Sequence, residues 1–248
     1  MTILCYHAID PGWSAPISVH PLLFERHARW LARHRRVAPL ESIVASGDGR
    51  RDVALTFDDG FSSVLHHAVP VLSRYSLPAT MFVVAGTLVD GGRPVDWLDR
   101  PPTTGPPETL DREQLLELRD AGVRIGSHGA SHADLTGLGD DDCERDLRES
   151  REVLQDMLGE PVPFLAYPRG RHDARVRRLA QRAGYTHAFA LPERREPAGP
   201  YAWPRVGIYG SNGVVTLRIK TAPGYLSLRS RLRPGSPAAS LAPVAPRR

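Results

Sequence analysis

Two carboxylates stand side by side in the stretch Ala54-Leu55-Thr56-Phe57-Asp58-Asp59-Gly60, directly after an apolar run. Two imidazoles, His128 and His132, stand four residues apart in Gly126-Ser127-His128-Gly129-Ala130-Ser131-His132. One Asp and two His make a three-ligand set for a divalent metal and leave coordination positions open for water and substrate. Imidazole nitrogen suits zinc, cobalt or nickel, and a single carboxylate adds a harder oxygen, so zinc is the favoured ion. Such a cation lowers the pKa of bound water to around 7 and polarises a carbonyl. A second carboxylate beside it is free to take that water's proton. Each feature alone has a plainer explanation: Asp-Asp-Gly as a turn with solvated carboxylates, the His pair as surface or satisfied core, His7 as a structural histidine at a strand end. Chemistry is favoured because the features occur together, each at the end of its own strand.

The elements that must carry them are βα units around a mostly parallel sheet, since short apolar runs alternate with helical periodicity. Residues 3–6, 53–57, 80–84, 123–125, 164–167 and 187–190 read as strands. His7 follows the first, Asp58 and Asp59 the second, His128 and His132 the fourth, and Pro168-Arg169-Gly170 the fifth. In a parallel α/β sheet or barrel these positions share one rim, at the carboxyl ends of the strands, where binding sites form. A helix is predicted over 111–121, with Leu115 and Leu118 on its apolar face, Asp111 and Gln114 spaced as a capping box and Gly122 as its C′ residue. Two more are predicted over 141–158, with Cys143, Leu147, Leu154 and Leu158 on one stripe, and over 173–183, with Val176, Leu179 and Ala183. The proline-rich stretch 91–107 reads as a long surface loop and a wall of the site. From Pro223 the chain is rich in proline, serine and arginine and reads as a flexible tail.

With 248 residues, 41% of them hydrophobic and 24% charged, the chain has the makings of one large globular domain. The net charge of +4 rests on scattered arginines, Lys220 being the one lysine, and no basic face gathers before residue 218. A nucleic-acid partner is therefore not expected. Cys5 and Cys143 fall in a strand and a helix, which argues against a disulfide and suits a reducing compartment. No run approaches the ~18 apolar residues of a membrane span, and the opening MTILCYHAID lacks the features of a secretory signal. A cytoplasmic location is the expectation.

Thr56-Phe57-Asp58-Asp59-Gly60, then a helix, the strand sequence Pro78-Ala79-Thr80-Met81-Phe82-Val83-Val84 and a His-x-x-x-His segment together resemble the polysaccharide deacetylases, the NodB-homology carbohydrate esterases of family 4. The likeness runs from about residue 3 to residue 218. It implies a distorted (β/α) barrel of about seven strands, occupying 1–222 before a tail at 223–248, and hydrolysis of an N-acetyl or related acyl group from a sugar. It also implies one divalent ion, Zn2+ with Co2+, Ni2+ or Mn2+ as alternatives, held by Asp59, His128 and His132, with Asp58 as the base. Tyr167, Pro168, Arg169 and Gly170 correspond to the family's third motif, which binds substrate and offers a backbone N–H near Arg169.

The chain departs from the family pattern at two places. The usual Arg-x-Pro-Tyr-Gly is Ala166-Tyr167-Pro168-Arg169-Gly170 here, so the arginine that orients the base is missing. A subgroup that begins with a Tyr-His strand, as at Tyr6-His7, also lacks it, and its later Pro-Arg, matching Pro204-Arg205, looks like the replacement. Arg205 is thus expected to pair with Asp58; read on its own it is a surface arginine at a strand start. The usual Leu-x-His is absent from residues 216–220, which leaves His7, or Asp58 returning its proton, as the acid. The expected substrate is an N-acetylated sugar in a cytoplasmic glycan, nucleotide-sugar or glycoconjugate precursor. A non-sugar amide hydrolase and a silent glycan-binding relative are the alternatives; Arg169 filling the open side of the metal site would favour silence.

Overall fold

All six apolar runs form strands, and a seventh strand without such a run completes a ring. The computed structural model describes residues 1–46, 52–89, 91–103, 105–191 and 199–232. The ring strands are β1 (Thr2–Tyr6), β2 (Asp52–Phe57), β3 (Ala79–Val83), β4 (Arg124–Ser127), β5 (Phe164–Ala166), β6 (His187–Ala190) and β7 (Trp203–Gly207). Each lies parallel to the next in sequence, and β1 closes the barrel by pairing with both β7 and β2. The closing register runs from Thr2↔Val53 to Tyr6↔Phe57 on one side and includes Ile3↔Arg205 on the other. A two-residue strand, Arg36–Val37, lies parallel beside the start of β2, where Arg36 pairs with Asp52.

Because side chains alternate along a strand, each strand faces both the barrel interior and the helices outside. Ile3, Ala54, Phe82, Phe164, Ala166 and Phe189 form one buried cluster, while Leu4, Tyr6, Leu55, Phe57, Met81 and Val83 belong to another that includes helical residues. Phe164 meets Phe189 edge-on at 5.6 Å, and Phe82 lies the same distance from Phe189. Such offset aromatic pairs add to what their burial already contributes. Helix α2 (Leu40–Ser46), which leads into β2, adds Leu40 and Ile43 to the inner cluster.

The outer layer begins with α1 (Pro21–His34), which buries Phe24, Ala28 and Leu31, and α3 (Val69–Arg74), which follows a π-helical turn at Val64–Ala68. Helix α4 (Arg112–Asp120) carries the predicted capping box: the Gln114 N–H donates to Asp111 at 2.8 Å and the Asp111 N–H donates back to the Gln114 side chain at 3.1 Å. Helix α5 (Asp140–Leu158) stops at Gly159 in a left-handed conformation, and α6 (Ala174–Arg182) starts from an Asp173 cap. Residues 91–103 and 105–107 contain no helix or strand, as expected of a loop. After α7 (Val214–Lys220), the segment read as the start of a tail forms α8 (Tyr225–Leu232), with Tyr225 and Leu226 packed on the core; residues 233–248 lie outside the described part. Among the described residues no helix is long and apolar enough to cross a membrane.

Candidate active site

At the carboxyl end of β2 the Asp58 N–H still donates to the Tyr6 carbonyl at 3.0 Å, which holds the residue in line with β1. The chain then turns through Asp59 and Gly60, both at positive φ (72° and 75°). A Cβ on Gly60 would lie 3.0 Å from a Val83 methyl, so the turn is both left-handed and tight. This geometry sends the two carboxylates to different surroundings.

Asp58 is buried and receives a two-pronged ion pair from Arg205: Nη1 donates to Oδ1 at 2.6 Å and Nη2 to Oδ2 at 2.8 Å. The guanidinium is itself fully buried, donates to Thr56 Oγ1 at 3.3 Å and sits 5.3 Å over the Phe82 ring. Arg205 is therefore an interior residue of β7 rather than a surface arginine. The Cys5 thiol adds a hydrogen bond to Asp58 Oδ2 at 3.2 Å. Burial by itself would raise the Asp58 pKa, but the charge of the Arg205 guanidinium outweighs it and holds the carboxyl well below the usual range. Burial pushes the Cys5 thiol up, so it stays protonated as a donor.

Asp59, His128 and His132 are all buried, and each offers a ligand atom within 4.8 Å of the others. His132 Nε2 and His128 Nε2 lie 3.2 and 3.5 Å from Asp59 Oδ1, yet that oxygen makes no hydrogen bond. His128 Nδ1 is 2.8 Å from the Ala166 carbonyl, which can only accept; Nδ1 therefore carries the proton and Nε2 keeps its lone pair for the cluster. Burial lowers the His128 pKa to about 4, so the ring is neutral, the form that ligates metal. A buried carboxylate oxygen without a partner, facing a lone pair fixed by tautomer, is a donor set that fits a divalent cation. The cluster Cys5, His7 and Asp58 fits one less well, because Arg205 already occupies Asp58 and the thiol is protonated.

The His-bearing segment is tied down from α5. Asp146 accepts from the Ala130 and Ser131 N–H groups, both at 2.9 Å, and from the Ser131 hydroxyl. His132 takes a positive φ of 55° and stacks on Trp97 of the long loop, with ring centroids 4.5 Å apart. Arg169 also has positive φ, 58°. Among the described residues Asp59, Ser76, His132 and Arg169 are the non-glycine residues in this conformation, and all except Ser76 lie in the site, where strain of this kind gathers.

These side chains open into a cavity of about 480 Å³ that His7, Trp97, Arg169, Gly170 and Tyr209 also line. His7 is half-buried with its Nδ1 unpartnered. Tyr167 and Pro168 are buried and are not lining residues: the Tyr167 hydroxyl is committed to the Tyr201 carbonyl at 3.0 Å. The long loop supplies Trp97 and Leu98 and so does form a wall. Asp146, Trp97 and Cys5 were missed by the sequence reading. A carboxylate on the apolar stripe of α5, three residues from Cys143, was the available signal for Asp146; nothing local marked the other two.

A closed parallel barrel with an acid–imidazole site at its carboxyl rim is the class of molecule the geometry defines. The chain belongs to the polysaccharide deacetylase family, whose model matches residues 45–188. It is 28% identical over 191 residues to YxkH of Bacillus subtilis (strain 168), a protein named for the same family, with 75% of this chain covered. It is 23% identical over 191 residues to the poly-beta-1,6-N-acetyl-D-glucosamine N-deacetylase of Staphylococcus aureus (strain MSSA476), with 71% covered. The chain spans 62% of the length of each of these relatives. In fold it is similar to the Streptococcus pyogenes deacetylase PplD, solved in complex with acetate, with a TM-score of 0.75, 22% identity and coverage of 90% of this chain and 98% of that one.

Proposed function

We propose that the protein hydrolyses the N-acetyl group of an amino sugar, using a divalent cation, best Zn2+, held by Asp59, His128 and His132. The observation that carries this is Asp58, a buried carboxylate kept ionised by Arg205 on the cavity floor beside the ligand set. Family membership supports the reaction class, as does the name of the S. aureus relative. A cation bound there would supply Lewis-acid polarisation of the acyl carbonyl and a more acidic water.

The chain's own groups do the rest. Asp58 accepts the proton of the attacking water, and Arg205 fixes both its ionisation and the direction of its lone pairs. The water oxygen joins the acyl carbon, the C–N bond breaks, and acetate and the free amine leave. His7, in the same cavity, donates the proton that the departing nitrogen needs. The Arg169 N–H is the donor nominated for the carbonyl oxygen as it gains charge, since the Gly170 N–H is already committed to Tyr167 at 2.8 Å.

The test is acetate release by protein supplied with Zn2+, across a panel of N-acetylated sugars, sugar nucleotides and oligosaccharides. Asp58→Asn is expected to lower the rate roughly 100-fold or more. No release from any substrate, or full activity in Asp58→Asn, would overturn the assignment.

A further inference from the structure

A metal-binding imidazole is ordinarily oriented through its second nitrogen, which donates to a carbonyl or a carboxylate. His128 follows that pattern, with Nδ1 2.8 Å from the Ala166 carbonyl. His132 does not, because its Nδ1 is buried with no hydrogen-bond partner. Yet its Nε2 lies 3.2 Å from Asp59 Oδ1, as close as the ligand set requires. Stacking on Trp97, with ring centroids 4.5 Å apart, restrains the plane of the ring. The place from which the ring projects is set by the main chain.

That main chain is at φ 55°, a conformation side chains other than glycine adopt rarely, so the residues before it must hold it there. Gly129, Ala130 and Ser131 stand between the two histidines, and all their N–H groups are bonded. Gly129 donates to Ser127 Oγ at 3.1 Å, Ala130 to Asp146 Oδ1 and Ser131 to Asp146 Oδ2, both at 2.9 Å. The Ser131 hydroxyl donates to Asp146 as well. From the other side, the Gly129 and Ala130 carbonyls accept from Ala85 and Gly86 at 3.0 and 2.9 Å. A Cβ on Gly129 would lie 2.8 Å from Asp146 Oδ1, so only glycine lets the segment run this close to the carboxylate. Asp146 is buried on the inner face of α5, one turn before Ser150, which meets the Ser127 hydroxyl at 2.9 Å. A carboxylate on such a face is tolerated because several donors converge on it, and bonds to an ionised acceptor are the stronger kind. We infer that Asp146 is the positioning residue of His132: by clamping the Ala130 and Ser131 N–H groups it fixes the left-handed turn and presets the affinity for a cation, in place of the missing ring bond. The inference rests on the assignment of Asp59, His128 and His132 to a cation.

Asp146→Asn keeps the shape of the side chain but turns an amide NH2 toward one of the two N–H groups. Calorimetric titration of the metal-free protein with Zn2+ should show Kd raised about 10- to 100-fold in this variant. A residue that only stabilised the fold would lower the urea midpoint and leave that Kd unchanged, which would overturn the proposal. Co2+ gives a spectroscopic reading of the same site: its visible bands in Asp146→Asn should depart from the wild-type pattern toward that of His132→Ala, and wild-type bands would count against the role. In the His132→Ala background, Asp146→Asn should alter the remaining Zn2+ affinity by less than about twofold; a full effect there would mean that Asp146 acts through some other group. Should Asp146→Asn not fold, Ser131→Ala removes one donor and leaves both N–H bonds, with Kd expected to rise about threefold and an unchanged Kd overturning the inference. Unchanged Zn2+ binding in the variants, with acetate still released by the wild type, sinks this inference alone. Binding weakened as expected, with no acetate released from any sugar, sinks the deacetylase reading and leaves the positioning role standing.

Discussion

Around Asp58 both carboxylate oxygens are engaged by groups of the chain itself, two prongs from Arg205 and a thiol from Cys5. Around Asp59, one residue later, Oδ1 has no hydrogen bond and His132 Nδ1 is buried without a partner. The first half of the site is completed by folding; the second is left open in the way a buried polar group tolerates only when something else satisfies it. The contrast explains how neighbouring carboxylates coexist in a buried site. One is neutralised internally, and the other keeps its capacity for a ligand from outside.

The largest effect should come from breaking the completed half. Arg205→Met strands a buried charge on Asp58, and urea unfolding should show a loss of about 3–5 kcal/mol, most of it recovered when Asp58→Asn is added. Failure of the double variant to recover would mean that the pair is not what holds the barrel wall.

A buried histidine outside the rim shows through pH what burial does to a titratable group. His27 of α1 is buried, bonds to the Tyr6 hydroxyl at 3.1 Å, and is held neutral by burial with its pKa lowered to about 4. An unfolded histidine titrates near 6.5, so this contribution is present in full above about pH 6.5 and is lost as pH falls toward 4, by at most roughly 3 kcal/mol. In His27→Asn that part of the pH dependence of unfolding should disappear.

The open half should respond to a cation. Saturating Zn2+ should raise stability by about 2.7 kcal/mol at a hundred times its Kd, a chelator should reverse the gain, and Asp59→Asn should abolish it in a thermal melt. The smallest effect belongs to Cys5→Ala, which removes one hydrogen bond from Asp58 but leaves Arg205. About 1 kcal/mol of stability and a rate loss much smaller than that of Asp58→Asn are expected.

The ligand-type residues were legible in the sequence because each sits at the end of an apolar run, and the parallel topology brings such ends together. Strand β7 was not among the apolar runs, and the sequence reading gave only a strand start at Arg205. It holds Trp203, Pro204 and Arg205, and an arginine inside a barrel follows no hydropathy pattern. Only the likeness to relatives pointed to Arg205, and only the register Ile3↔Arg205 places it under Asp58. Helix α8 was hidden for a similar reason: it is rich in serine and arginine, and its place is decided by packing of Tyr225 and Leu226 rather than by an apolar stripe. Tyr167 was read as substrate-binding from its motif position, and the bond of its hydroxyl to Tyr201 is a tertiary fact with no local signature.

The left-handed residues carry a consequence for improving the protein. A non-glycine side chain in that conformation costs roughly 1–2 kcal/mol, so a glycine at any of the four positions should relax the backbone. At Asp59, His132 and Arg169 the exchange would remove the very groups that line the site. Ser76, in the turn after α3, is the position where the same relaxation touches nothing that lines the cavity. Among the described residues, evolution toward greater robustness therefore has one open route of this kind and three closed ones, and the closed ones map the working rim of the barrel.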